Sequence, residues 1–284
     1  MKKILKIEVK KALTGVRFKT AFLTAQFLGI LSLVSVFRQY QIQKDYIMYW
    51  ADSFPVRQVY TLYHSWILNE PVSIGRTVFF LCFPLLAAFP FAASYYQEEK
   101  KKQLRLVLIN VKVSEYFCAK YIAVFISGML VIVGCLCMNF ALTAAVFPWE
   151  NPLAFYPYFN VLGNEMWSGL FYGSPFIYVI GYIFIEGIYG GLFACSVYVL
   201  SMYIKKQLVF FGGVMFAYLG CDVVRGGLRQ WFPQFNIPYE FSPLGFLRGS
   251  GYRRNGYMIL GIALMILLLQ CAFIVKRSKR YEIY

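Results

Sequence analysis

The chain has 284 residues, of which 60% are hydrophobic, and its mean hydropathy is +0.57. Soluble domains average about 45–50% apolar residues, so this composition argues against an ordinary soluble protein and favours one that sits in an apolar solvent. A net charge of +15 could suit nucleic-acid binding. The Lys and Arg residues, however, cluster beside apolar runs, as the positive-inside rule of membrane proteins expects. We therefore predict a lipid bilayer as the surroundings and no nucleic-acid partner.

The first element in chain order is an amphipathic helix over residues 1–18. Lys6, Lys10 and Arg17 lie largely away from its apolar side. Such a helix is expected to lie in the membrane interface, with its lysines towards anionic headgroups. Apolar residues recur at steps of three and four and form one stripe: Leu5, Val9, Ala12, Leu13 and Val16.

Six apolar stretches follow, each long enough to cross the hydrocarbon core of a bilayer as a helix. The second stretch contains Pro84 and Pro90, so we expect a kink there. The predicted fold class is an all-α membrane protein with six transmembrane helices, forming a single domain over residues 1–284. The predicted spans are residues 20–37, 77–96, 119–147, 177–204, 208–224 and 257–275.

The distribution of Lys and Arg sets the predicted orientation. With the N-terminus inside, 19 of the 28 basic residues lie on the inner side and nine on the outer side. This asymmetry favours a cell-membrane protein with both termini in the cytoplasm. All five tryptophans then fall in outer segments, where their rings suit the headgroup region. The outer segment 225–256 is too broken for a span and is either an interfacial loop or a re-entrant segment that dips into the outer leaflet.

Motifs for enzyme chemistry are missing from the sequence. There is no GxxxxGK[ST] loop, so the chain has no phosphate-binding site of that kind. The only histidine, His64, falls in an outer segment and is expected to be a surface or interfacial ring. A single histidine excludes a His-rich metal centre, and its place in an outer segment excludes a Ser-His-Asp triad inside the bilayer. We predict no enzyme activity, no metal site and no cofactor bound by this chain itself.

One ionisable residue lies inside a predicted span. Glu186 is about ten residues into the fourth span, near the bilayer centre. Such a group is costly in lipid and suggests a function, at a transport cavity or a partner contact. A protonated or hydrogen-bonded packing residue is the equally open alternative. Beside it, Gly187 and Gly191 form a GxxxG motif that favours close helix packing, within the chain or across a dimer.

The most charged loop, residues 97–113, has the pattern of a docking element. Glu98 and Glu99 end the second span, and a short amphipathic helical pattern follows with Leu104 and Leu108 on one face. Further on, Ser114 can cap the next helix, with Glu115 in its first turn. A soluble partner protein could bind a short helix with an apolar face and charged ends.

From Ala93 to Lys120 this stretch resembles the permease subunits of bacterial type-2 ATP-binding-cassette (ABC) exporters. That family has an acidic pair, a short coupling helix and a Ser-containing turn before a span that begins with Ala-Lys or Gly-Lys. Two positions depart from the pattern: Lys102-Gln103 replaces the usual Gly-Thr, and Lys112 replaces the usual proline. The matching positions are Glu98, Glu99, the segment 101–109, Ser114 and Ala119-Lys120.

The resemblance implies an export subunit driven by a separate cytosolic ABC ATPase, which holds ATP and Mg, and paired with a second permease copy, identical or related. A peptide or hydrophobic antimicrobial is the expected substrate class. Two alternatives stay open: a membrane scaffold or sensory subunit that transports nothing, and a secondary transporter that uses Glu186. The residues implied in coupling to the ATPase are Glu98, Glu99, Lys101, Leu104, Arg105 and Leu108.

Overall fold

A computed structural model describes residues 1–50, 60–70, 73–109, 111–152, 161, 165–232, 234, 238–248 and 255–282. Every regular element in these ranges is helical. A 3-10 turn, Tyr239–Phe241, precedes α12. The helices are α1 Lys2–Thr14, α2 Val16–Trp50, α3 Leu62–Ser65, α4 Ile74–Leu81, α5 Phe83–Ala88, α6 Ser94–Lys100, α7 Gln103–Ile109, α8 Val113–Val146, α9 Ser168–Gly173, α10 Pro175–Ser201, α11 Gln207–Trp231, α12 Pro243–Leu247 and α13 Gly256–Glu282.

Five helices in the described part of the chain are long and apolar enough to cross a membrane. They are α2 over Val16–Lys44, α8, α10, α11, and α13 over Gly256–Lys279. Five of the six predicted spans fall within or closely overlap these helices. The all-helical class is thereby confirmed, and the long apolar helices are typical of a multi-pass membrane protein.

The second predicted span, 77–96, is interrupted near its prolines, as the expected kink implies. Backbone hydrogen bonds such as Leu86 N to Cys82 O and Ala92 N to Ala88 O run across the interruptions. The chain crosses the bundle here as α4, α5 and α6, with breaks at Cys82 and at residues 89–93. Pro84 lies in the first turn of α5, where its missing N–H is tolerated, and Pro90 lies in the second break. The short helices are buried among the long ones, and packing against these neighbours stabilises the interrupted path.

The centre of the bundle is the antiparallel pair α8 and α10, joined by α2 on the other side of α8. Gly128 on α8 faces α10 so closely that a Cβ there would come within 2.7 Å of the Ala194 Cβ. On the opposite side, Asn139 Nδ2 donates a hydrogen bond of 2.8 Å to the Gly29 carbonyl of α2. Small residues and buried amides of this kind allow apolar helices to pack at short range.

The bundle has two ends, which we name by their residues. The terminal end holds α1, α6, α7, the start of α8 and the last turns of α13. The distal end holds residues 60–70, the start of α4 and the end of α8. At the terminal end, α1 stops at Thr14, so the helix predicted over 1–18 is shorter than expected and residues 16–18 begin α2. Whether α1 lies in a membrane interface stays a prediction.

Residues 238–248 turn back into the bundle from the distal side. The ring of Phe246, which is 2% exposed, contacts the ring of Tyr189 on α10 with centroids 4.8 Å apart. Ser242 Oγ donates a hydrogen bond of 2.7 Å to Asp222 Oδ1 on α11. The segment predicted over 225–256 begins later than expected, because α11 continues to Trp231.

Candidate functional site

The predicted acidic pair lies at the C-terminal end of α6, and its first member is held inside the bundle. Glu98 pairs with Lys120 Nζ and accepts a hydrogen bond from the Tyr116 hydroxyl, both on α8. Lys120 has no exposed side-chain surface and also donates a hydrogen bond of 2.8 Å to the Tyr116 oxygen. A buried ammonium is tolerable only when paired and hydrogen-bonded, so Glu98 and Lys120 depend on each other.

A second carboxylate completes this group. Glu8 of α1, which is 3% exposed, places Oε2 3.5 Å from Lys120 Nζ and Oε1 2.8 Å from Lys11 Nζ. Partial burial disfavours the charge on Lys11, but the hydrogen bond and charge of Glu8 and the charge of Glu98 outweigh it and raise the Lys11 pKa. We call Glu8, Lys11, Glu98, Tyr116 and Lys120 the terminal cluster, and it joins α1, α6 and α8.

The other member of the acidic pair points to a different helix. Glu99 Oε1 lies 4.0 Å from the Arg277 guanidinium on α13, and both side chains are partly exposed. The guanidinium also lies over the ring of Tyr203, 5.7 Å from its centroid. A long, partly exposed ion pair contributes little stability. Glu99 therefore links α6 to α13 less strongly than Glu98 links α6 to α8.

Between α6 and α7 the chain makes a tight turn. Lys102 has a φ of 58°, in the left-handed region, and the lysines at 100, 101 and 102 are all exposed. Within α7, Leu104 is 4% exposed and packs in the core, Leu108 is half-buried, and Ile109 is 76% exposed. The backbone of Arg105 belongs to α7, while its side chain lies outside the described part of the structure. Leu104 therefore faces the bundle rather than a partner.

The start of α8 differs from the prediction in one detail. The helix begins at Val113 with Lys112 in the cap position and no side-chain cap hydrogen bond, so the expected Ser114 cap was wrong. Glu115 does lie in the first turn, where a negative charge is favourable beside the unpaired N–H groups of the helix.

Glu186 lies in the middle of α10 with no exposed surface. It interacts electrostatically with Tyr189 of the same helix and Tyr218 of α11. Its two neighbouring glycines face α8 within the chain: a Cβ at Gly187 would lie 2.7 Å from Val133 Cγ2, and one at Gly191 2.5 Å from Phe125 Cε2. These glycines are used for contact between helices of one chain.

Two expectations about the distal end were wrong. His64 is 5% exposed rather than at the surface, and Trp66 is fully buried rather than in a headgroup belt. His64 Nδ1 lies 2.9 Å from Thr61 Oγ1, and its ring meets Phe171 edge-on at 5.3 Å. Burial lowers the His64 pKa to about 4, so the ring is neutral at neutral pH.

Sequence reasoning missed two distal residues, Glu70 and Arg76. Arg76 is 6% exposed and donates a hydrogen bond of 3.0 Å to the Leu68 carbonyl and another to the Arg248 carbonyl. Glu70 is 1% exposed and accepts a hydrogen bond from Ser32. The available signal was their position beside a long apolar and aromatic run, where a charged side chain has little solvent to reach.

No known protein family matches this chain, and no curated protein is significantly similar to it. The terminal cluster joins α1, α6 and α8 at one end of the bundle. It fixes the base of the α6–α7 turn to α1 and α8 through buried charges, and it leaves the tip of the turn exposed. Such an arrangement joins the exposed turn to the long helix α8.

Proposed function

We propose that this chain is the membrane-spanning subunit of an ABC exporter, driven by a separate cytosolic ATPase that binds ATP and Mg. The observation that carries the proposal is the α6–α7 turn, which has a rigid base and an exposed tip. Its base is held by the pair of Glu98 and Lys120. Its tip offers the three lysines at 100–102, and the exposed side chain of Ile109 lies at the other end of α7.

In this proposal the predicted coupling residues take two roles. Glu98, Glu99 and Leu104 anchor the turn to α8, α13 and the core, while Lys101 belongs to the surface that meets the ATPase. A movement of the ATPase against the turn would then move α6 and α8 together, because the ion pair of Glu98 and Lys120 connects the two helices inside the bundle. A second copy of the chain, or a related one, would complete the path for a peptide or hydrophobic antimicrobial.

The test is affinity purification of the tagged, detergent-solubilised protein from its native cell, with mass spectrometry of the copurifying proteins. We expect a cassette ATPase with the wild type and its loss with the double variant Lys101→Glu/Ile109→Asp, which changes only exposed side chains. Lys206→Glu is the matched control, since Lys206 is an exposed lysine in the short loop between α10 and α11. It should retain the ATPase.

Copurification without any ATPase, under conditions that preserve known complexes of the same membrane, would refute the exporter proposal. Loss of the ATPase with Lys206→Glu as well would refute the assignment of the α6–α7 tip as the contact surface. The anchor variant Glu98→Ala is expected to lower both stability and binding, so it does not separate the two roles.

Glu186 supports a second candidate, a secondary transporter. A carboxyl buried in the middle of an apolar helix is the kind of group that carries a proton or ion across a membrane. In that case, transport by the purified chain in liposomes would follow an imposed proton gradient without ATPase and would be lost in Glu186→Gln. Transport that requires ATP and an added ATPase would reject this candidate.

A further inference from the structure

The distal seam between α2 and α4 is closed by backbone contact. Gly75 of α4 approaches α2 so closely that a Cβ there would lie 2.5 Å from the Leu28 carbonyl oxygen and 2.8 Å from Ser32 Cα. Only glycine fits such a spacing. A small displacement of either helix would therefore change the surroundings of every group enclosed between α2 and α4.

A carboxyl group is enclosed there. Glu70, 1% exposed, places Oε1 2.8 Å from Ser32 Oγ, which donates a hydrogen bond to it. Its other oxygen, Oε2, is shielded from solvent and has no hydrogen bond of normal geometry among the described residues. A buried carboxylate normally recruits several donors, whereas a neutral carboxylic acid needs fewer and can donate its own hydrogen.

Within the described part of the chain, no Lys or Arg forms an ion pair with Glu70. On α4, Arg76 lowers the proton affinity from a distance, while its guanidinium donates to the Leu68 and Arg248 carbonyls. On α2 the nearest charged side chain in sequence, Arg38, is exposed. Tyr63 and His64 belong to the segment of Glu70 itself, and Tyr178 approaches from α10, where its hydroxyl lies 3.4 Å from Asn69 Oδ1. The pKa of the Glu70 carboxyl is set by burial, by the Ser73 and Ser32 hydroxyls and by Arg76.

We propose that Glu70 is a proton-binding site and that its bound proton holds the α2–α4 seam closed. The ligand is a proton taken up by Oε1 or Oε2, which converts the carboxylate into a neutral acid. When the proton leaves, a negative charge remains between two helices that are already in backbone contact. The seam then loosens, and water reaches the carboxylate.

The effects of the surroundings on the Glu70 pKa agree with this geometry. Burial raises the Glu70 pKa to about 7, against smaller opposing effects of the Ser73 and Ser32 hydroxyls and of Arg76. The Glu70 carboxyl is thus about half protonated near neutral pH. The closed seam is favoured at low pH and weakens as pH rises from 4.5 towards 7.

Difference infrared spectroscopy of the full chain in lipid tests the site directly. We expect a carboxylic-acid C=O band that titrates near neutral pH in the wild type, disappears in Glu70→Gln and persists in Glu150→Gln, which removes an exposed carboxyl. Ser32→Ala should shift the midpoint upwards, because the lost hydroxyl favours the charged form. Absence of a titrating band that depends on Glu70 would overturn the proposal.

Hydrogen exchange tests the coupling to the seam. After correction for intrinsic rates, the protection of backbone amides in residues 61–70 should fall by about a hundredfold between roughly pH 5 and pH 8, since each pKa unit corresponds to a factor of ten. Glu70→Gln should stay protected at both values. Protection in the wild type that does not change with pH would show that the proton, if bound, does not hold the seam.

Discussion

Glu98 at the terminal end and Glu70 at the distal end are both enclosed carboxyls, yet they meet different neighbours. Glu98 faces an ammonium, a phenol and, through Lys120, a second carboxylate. Glu70 faces the hydroxyl groups of Ser32 and Ser73, and the nearby Arg76 donates to carbonyl groups. The same type of side chain is therefore paired with a cation at one end of the bundle and enclosed with few hydrogen-bond donors at the other.

The largest expected effect removes the cation from the charged end. Lys120→Ala removes the cation that pairs with Glu98 and leaves Glu8 with Lys11 as its counter-charge. The uncompensated charge on Glu98 should lower the free energy of unfolding by about 3–5 kcal/mol. Denaturant or thermal unfolding in detergent micelles measures this loss. The conservative variant Lys120→Arg should recover most of it, and an equal loss in both variants would indicate a purely steric role for Lys120.

The second prediction concerns how the free energy of unfolding depends on pH. Two distal residues, Glu70 and His64, should lower it at opposite ends of the pH range. The raised pKa of Glu70 gives stability that is complete below pH 4.5 and is lost as pH rises to about 7. The lowered pKa of His64 gives stability that is complete above pH 6.5 and is lost as pH falls to about 4. Each shift corresponds to about 3 kcal/mol at most.

Single variants separate the two arms of this profile. Glu70→Gln should flatten the loss on the alkaline side, and His64→Phe should flatten the loss on the acidic side. A profile that keeps both arms in both variants would assign the titration to other groups. Unfolding midpoints between about pH 4 and pH 8 are the measurement.

A third prediction tests the close contact that surrounds Glu70. Gly75→Ala should destabilise the protein by about 1–3 kcal/mol, because the added methyl group must push α2 and α4 apart. Gly220→Ala on α11 is the matched control, since nothing lies within 4 Å of a Cβ there. That control should be neutral or stabilise by up to about 1 kcal/mol, and equal losses in the two variants would contradict the seam.

The smallest expected effect concerns a neutral polar contact between the two ends. Gln270 of α13 donates to the Leu192 carbonyl at 2.9 Å and to Ser196 at 2.8 Å, and it accepts from the Tyr121 hydroxyl at 2.7 Å. Gln270→Leu should cost about 1–2 kcal/mol, since hydrogen bonds between apolar helices contribute about 0.6 kcal/mol each. Gln270→Glu, tested at neutral pH, should cost more because it introduces a charge.

Hydropathy predicted the long helices well because each of them needs little more than a continuous apolar stretch. Over 77–96 it predicted a kinked span, and the structure divides this stretch into α4, α5 and α6 near Pro84 and Pro90, with neighbouring helices packed around the short pieces. The charges were harder to predict. The partners of Glu98 come from other elements, so only its position beside a span could be predicted. Glu70 and Arg76 lie near segment ends, where the neighbouring apolar and aromatic run is the local signal of their burial.

The terminal cluster also has a consequence for how the sequence can diverge. Its charges come from Glu8, Lys11, Glu98 and Lys120, two carboxylates and two ammonium groups from three separate parts of the chain. A loss of any one of them unbalances a largely buried group of charges, so paired changes should be tolerated better than single ones. In an alignment of diverged relatives, these four columns should therefore change together, and the surface lysines at 100–102 should change independently.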